Sequence, residues 1–200
     1  MSIRIQLVED HPVVRLGLKT VVDAQPDMEV VGEADTVGGA LAAARELAPD
    51  LVILPLRLDG DLRGIELCRE LKGLQPAPRV LIYTSYNSAE DASASFLSGA
   101  DSFVHKREDS ARLLDTIRTT AEGRRTWLLG AETSDETDRL RAAVERSGLT
   151  EREREVLGFM LQRFTNTEIA KELFIEVPTV KTHVSSILAK LGLRSRQDLF

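Results

Sequence analysis

Two hundred residues with 42% hydrophobic and 29% charged side chains hold enough apolar mass for one or two packed domains. A net charge of −6 argues against non-specific coating of a polyanion by the whole chain, and no apolar run approaches the roughly 18 residues of a membrane span. The opening MSIRIQLVED lacks a signal-peptide pattern, and a single cysteine, Cys68, excludes an intrachain disulfide and a cysteine-built zinc site. A cytoplasmic chain is expected.

The front half alternates short apolar runs with amphipathic stretches. Ile3–Val8 predicts a buried strand, and Pro12–Ala24 a helix with proline in its tolerated first turn. Met28–Ala34, Leu51–Leu54, Val80–Thr84 and Ser102–His105 predict four more strands. Val37–Leu47, Ile65–Leu74, Glu90–Ser98 and Glu108–Glu122 predict the helices between and after them. Five β/α units imply an α/β fold, a parallel sheet covered on both faces. The working crevice of such a sheet lies beyond the carboxyl ends of its strands. Glu9 and Asp10 follow the first strand, Thr84 ends the fourth and Lys106 follows the fifth. Ordinary polar residues are common at strand ends, but four in register form a set that can hold Mg²⁺ and a phosphoryl group.

Glu9-Asp10-His11-Pro12, Pro49–Leu54, Thr84 and Gly99-Ala100…His105-Lys106 resemble a response-regulator receiver domain over residues 3–122. The resemblance implies a flavodoxin-like (βα)5 fold, Mg²⁺ held by Glu9 and Asp10, and switch residues at Thr84, Lys106 and Phe103. It also implies an aspartate that accepts phosphate just after the third strand. This sequence has Pro55 there. Proline cannot be acyl-phosphorylated, and its loss of a carboxylate leaves weak Mg²⁺ binding at best. It also removes a backbone donor, so the strand is expected to end early or to leave a neighbouring carbonyl unpaired. Asp59 and Asp61, on the following loop, read as ordinary loop carboxylates.

Residues 123–148 read as a partly helical linker. Gly123-Arg124-Arg125 closes the last receiver helix, Trp127 is expected against a domain surface, and Asp138–Ser147 has a helical pattern. Charge shifts along the chain: residues 1–122 carry 13 basic and 20 acidic side chains, residues 149–200 eight and seven. Lys171, Lys181, Lys190, Arg194 and Arg196 outnumber Glu172 and Glu176 across 171–196, which allows local DNA binding.

The back end opens on Leu149–Gln162, a helix with a capping box at Thr150 and Glu153. A second capping box, Thr165 with Glu168, opens the next helix. Val177–Lys190 repeats Val177, Val180, Val184, Ile187 and Leu188 on one face. Pro178, Lys181, Thr182, Ser185 and Ala189 lie on the other, a small, cationic face able to enter a major groove. A solvated helical hairpin would show the same spacing.

LTEREREVL, NTEIAKELFI and TVKTHVSSILAKLG resemble the LuxR/NarL-type helix-turn-helix domain. The resemblance covers residues 149–200 and implies an all-α four-helix module whose third helix reads DNA. Lys181, Thr182 and Ser185 are the expected base or phosphate contacts. Thr179, His183, Lys190, Thr165 and Asn166 are expected on the phosphate side, with packing an equal expectation for His183. Arg163 stands where the family has glycine in a left-handed cap, and Glu176 replaces its serine cap. The sequence therefore predicts a transcriptional regulator, not an enzyme. It would bind double-stranded DNA as a homodimer and work without phosphorylation at position 55. Gating by a small ligand in the receiver crevice, and a protein-interaction adaptor without DNA binding, are the alternatives. Whether a sensor kinase or a small effector supplies the signal stays open.

Overall fold

The computed structural model describes residues 2–58, 60–128, 146–161 and 163–199. The chain divides into two compact units, Met1–Asn87 with Gly99–Gly130, and Ser88–Ser98 with Ala131–Phe200.

The first unit is a parallel sheet in the order β2-β1-β3-β4-β5-β6. Its strands are β1 (Ile3–Val8), β2 (Met28–Ala34), β3 (Leu51–Leu54), β4 (Arg79–Thr84), β5 (Ser102–His105) and β6 (Trp127–Leu128). Helices α1 (Pro12–Asp23), α2 (Val37–Leu47), α3 (Arg63–Lys72) and α5 (Ser110–Ala121) belong to it. Ile5, Leu7, Leu51, Ile53, Leu81 and Val104 build one core with Leu18 and Val22 of α1 and Leu113 and Ile117 of α5. The alternate residues Val52, Leu54, Val80 and Ile82 are buried too, so both faces are covered. That is why these strands read as unbroken apolar runs. Cys68 is packed in the interior.

β6 departs from the sequence expectation of five strands. Phe103 N–H donates to the Thr126 carbonyl at 2.9 Å, and Thr126 N–H to Ser102 Oγ at 3.1 Å. Trp127 then stacks on Phe103, with ring centroids 5.9 Å apart and planes 15° from parallel. Trp127 is therefore anchored by a strand as well as by a surface. β3 stops at Leu54, one residue before Pro55, where the missing N–H ends the ladder.

In the second unit, α4 (Ala89–Leu97) starts at a Ser88 cap that accepts from Asp91 N–H at 3.1 Å. It groups with α6 (Glu151–Leu161), α7 (Asn166–Glu172), α8 (Val177–Leu191) and a 3₁₀ turn at Arg196–Leu199. The expected linker helix Asp138–Ser147 falls almost wholly outside the described residues. No helix among the described residues is long and apolar enough to cross a membrane.

Three helices end alike. Phe164 N–H reaches the Phe159 carbonyl, Ile175 N–H that of Ala170, and Leu193 N–H that of Leu188. The residue before each donor is left-handed: Arg163 at φ 64°, Phe174 at 52° and Gly192 at 71°. Only the last is glycine, the residue without a Cβ penalty in this conformation. Phe174 is 95% exposed, so it recovers nothing by packing. Phe174→Gly is expected to stabilise the second unit by about 1 kcal/mol, read as a higher urea midpoint at unchanged slope.

Candidate functional site

Two sets of residues bear on function, one in each unit. In the first, the ends of four strands converge on a crevice of about 270 Å³. Its lining includes Glu9, Asp10 and His11 after β1, Pro55 after β3, Thr84 at the end of β4 and Lys106 after β5. The topology thus brings the expected pocket residues together. Phe103 lies apart from the lining, fully buried beneath Trp127.

The crevice is internally paired. Lys106 Nζ donates to Glu9 Oε2 at 2.6 Å, and Glu9 is 1% exposed. His11 Nδ1 lies 3.1 Å from Glu9 Oε1 and 3.0 Å from Asp10 Oδ1. Hydrogen bonds to Glu9 and then Asp10 raise the His11 pKa, favouring its cation. Arg15 donates to the Glu9 backbone carbonyl. The Thr84 hydroxyl accepts from Tyr86 N–H at 3.2 Å. Donor atoms of Glu9, Asp10 and His11 all lie within 4.8 Å of one another. The grouping adds His11 to the Glu9 and Asp10 that the sequence points to. For Mg²⁺ the donors fit poorly. Both Glu9 oxygens are already engaged, and position 55 offers no side-chain oxygen to complete the near-octahedral set.

In the second unit, α8 buries Val180 and Ile187 completely. It exposes Pro178, Thr179, Lys181, Thr182, Ser185 and Ala189. Thr182 Oγ1 donates back to the Pro178 carbonyl at 3.1 Å, which spends its proton and leaves the exposed hydroxyl as an acceptor. Lys181 is exposed and has no ion-pair partner among the described residues. His183 is half-buried. Glu176 sits at the N-cap without capping through its side chain, as expected of a glutamate there.

Other expected contacts are committed inside the module. Lys190 Nζ donates to Glu153 Oε2 at 2.6 Å and to the Gly148 carbonyl at 3.3 Å. Thr165 and Glu168 close a capping box, with Thr165 N–H donating to Glu168 Oε2 at 2.6 Å. The Thr165 backbone and hydroxyl bonds hold the Glu168 carboxyl below its ordinary range. Asn166 Oδ1 accepts from Arg196 Nη1 at 3.4 Å, and Arg196 also caps the Met160 and Phe164 carbonyls. Burial lowers the Arg196 pKa. The cationic surplus counted along residues 171–196 therefore shrinks to Lys171, Lys181 and Arg194 at the surface.

Comparison with known proteins places both units. Residues 5–118 match the response regulator receiver domain. Residues 147–200 match the bacterial regulatory proteins of the luxR family. The chain belongs to the LuxR-family response regulators. This response regulator is 39% identical to the DNA-binding transcriptional activator DevR/DosR of Mycobacterium tuberculosis, over 97% of this chain and 90% of that one. It is 36% identical to the transcriptional regulatory protein LiaR of Bacillus subtilis, over 97% and 93%. Among solved structures, a LuxR-family two-component response regulator from Aurantimonas is 34% identical with a TM-score of 0.63. That match covers 71% of this chain and 99% of the other. ChrA, from a heme-sensing two-component system, is also 34% identical, with a TM-score of 0.54 over 99% and 94%.

Proposed function

We propose that this response regulator binds double-stranded DNA through α8 and regulates transcription without phosphorylation of its receiver. The observation that carries the second half is Pro55 just after β3, in a crevice whose lysine is already paired with Glu9. Pro55 itself offers no side-chain oxygen on which an acyl phosphate could form. Mg²⁺ binding is correspondingly weak, and no cofactor is required.

The first half rests on the exposed face of α8. Lys181 is its unpaired cation, flanked by the small polar residues Thr182 and Ser185. A helix with such a face reads base edges without steric conflict. The names of the relatives agree: DevR/DosR is a DNA-binding transcriptional activator and LiaR a transcriptional regulatory protein. One helix-turn-helix covers one half-site, so the functional species is a homodimer on paired half-sites.

Lys181→Ala is expected to weaken retention of specific genomic fragments by roughly tenfold or more. The assay uses unphosphorylated protein at fixed salt, because affinity falls steeply with salt. Lys190→Ala should lower stability more than it lowers DNA affinity at matched folded fraction. Retention undiminished in Lys181→Ala would remove α8 as the reading helix.

A further inference from the structure

Among the described residues, the receiver crevice holds one cation that the internal pairing leaves over. Lys106 and His11 face Glu9 and Asp10. Arg57, which also lines the crevice, has no carboxylate partner among the described residues. Its only hydrogen bond there is a long one from Nη1 to the Gly60 carbonyl, at 3.3 Å. Its Nε is buried without a partner. The guanidinium lies 4.8 Å from the centroid of the Tyr86 ring, and that ring is 48% exposed at the mouth. Pro55 supplies an apolar wall where a carboxylate would have added negative charge. A pre-oriented guanidinium beside an aromatic and an apolar wall suits bidentate recognition of a carboxylate or phosphate.

We propose that this crevice binds a small organic anion, its carboxylate or phosphate group on Arg57 and its apolar body between Pro55 and Tyr86. The volume, about 270 Å³, lies at the small end of ligand pockets, so the ligand has the bulk of a single substituted ring. The anionic group stays at Arg57 because Glu9 and Asp10 repel it from the deeper end. This gives the unphosphorylated receiver a signal input of its own. It does not depend on the DNA-binding proposal, since it is measured on the full chain without DNA.

The test is calorimetric titration of the full chain with benzoate and phenyl phosphate, and with benzamide as the neutral counterpart. Either anion should bind and benzamide should not. Arg57→Ala should weaken the anion by roughly 10–100-fold, the effect of losing charge-assisted hydrogen bonds. Arg57→Lys should recover only part of it, because an ammonium lacks the planar fork. Thermal melts of the ligand-free variants verify that they fold. No binding by either anion overturns the proposal, as does equal binding by benzamide or undiminished binding in Arg57→Ala. Fragment retention by the same preparations shows separately whether the DNA-binding proposal stands.

Discussion

Replacing Glu153 with alanine is expected to melt the second unit at far lower denaturant than the first. This carboxylate is almost fully buried and satisfies three donors from two elements at once. It accepts from Thr150 N–H at 2.7 Å in the capping box of α6, from Ser186 Oγ at 2.6 Å and from Lys190 Nζ at 2.6 Å. Burial alone would push its pKa up. The bonds from Lys190, Ser186 and Thr150 outweigh burial and bring it down to about 2 from an ordinary 4.5. Alanine would strand the Lys190 ammonium and a Ser186 hydroxyl on α8 and remove the Glu153 half of the capping box, leaving Thr150 N–H without its acceptor at the start of α6. Removing one partner of such a pair costs about 3 kcal/mol, the lower end of the range because the lysine is one-third exposed. The pH dependence follows from the direction of the shift. The stabilisation is complete above about pH 4.5 and is lost as the pH falls toward 2. Urea titrations at neutral pH and at pH 3, followed by circular dichroism, should show the wild-type second transition approach that of Glu153→Ala at the acid value. Identical transitions at neutral pH would show that the carboxylate contributes nothing to this module.

Gly64→Ala is expected to destabilise the first unit by about 3 kcal/mol or more. A Cβ at Gly64 would lie 1.9 Å from the Pro55 carbonyl oxygen and 2.7 Å from that of Leu56. Both obstacles are backbone, and Gly64 N–H is bonded to the Leu56 oxygen at 3.0 Å. Neither side can yield by rotating a side-chain tip. The start of α3 is thus packed directly on the chain that follows β3, which holds Pro55 and Arg57 at the crevice. Trp127 offers the readout, as the only tryptophan and a residue stacked on β5. Gly17→Ala is the contrast. A Cβ there meets nothing within 4 Å, and alanine in a helix interior is favoured over glycine by up to about 1 kcal/mol. Opposite shifts of the tryptophan-monitored midpoint are expected from the two substitutions. Equal shifts would mean that close backbone approach at Gly64 does not matter.

What the sequence made legible follows from the range of the interactions involved. β1, β2, α2, β3 and β5 lie, to the residue, where the sequence puts them, because buried parallel strands are uninterrupted apolar runs, and helices between them keep a 3–4 residue period. Both capping boxes were legible, since their partners are three residues apart. Glu9 and Lys106, 97 residues apart, were brought together by one topological rule, that strand ends share a crevice. β6 is invisible in the sequence. Two residues carry no period, and only the Phe103–Trp127 stack reveals why the chain turns back onto the sheet. The fates of Lys190 and Arg196 were equally hidden. A lysine on the exposed flank of a helix reads as a phosphate contact, unless one knows that Glu153, 37 residues earlier, lies within reach. Arg57 is inconspicuous in the sequence, where an isolated arginine in a loop reads as a solvated one. Its position over Tyr86 and the absence of a carboxylate partner among the described residues are facts of three dimensions.

Under the proposed function, DNA binding by this regulator does not need a phosphorylated receiver. The direct test measures affinity for a retained genomic fragment before and after incubation with acetyl phosphate and Mg²⁺, with intact mass recorded on the same samples. No added mass of about 80 Da, the phosphoryl group, and an unchanged dissociation constant are expected. A stoichiometric adduct accompanied by tenfold tighter binding would contradict it, and would show that another side chain has taken over the role that Pro55 cannot perform.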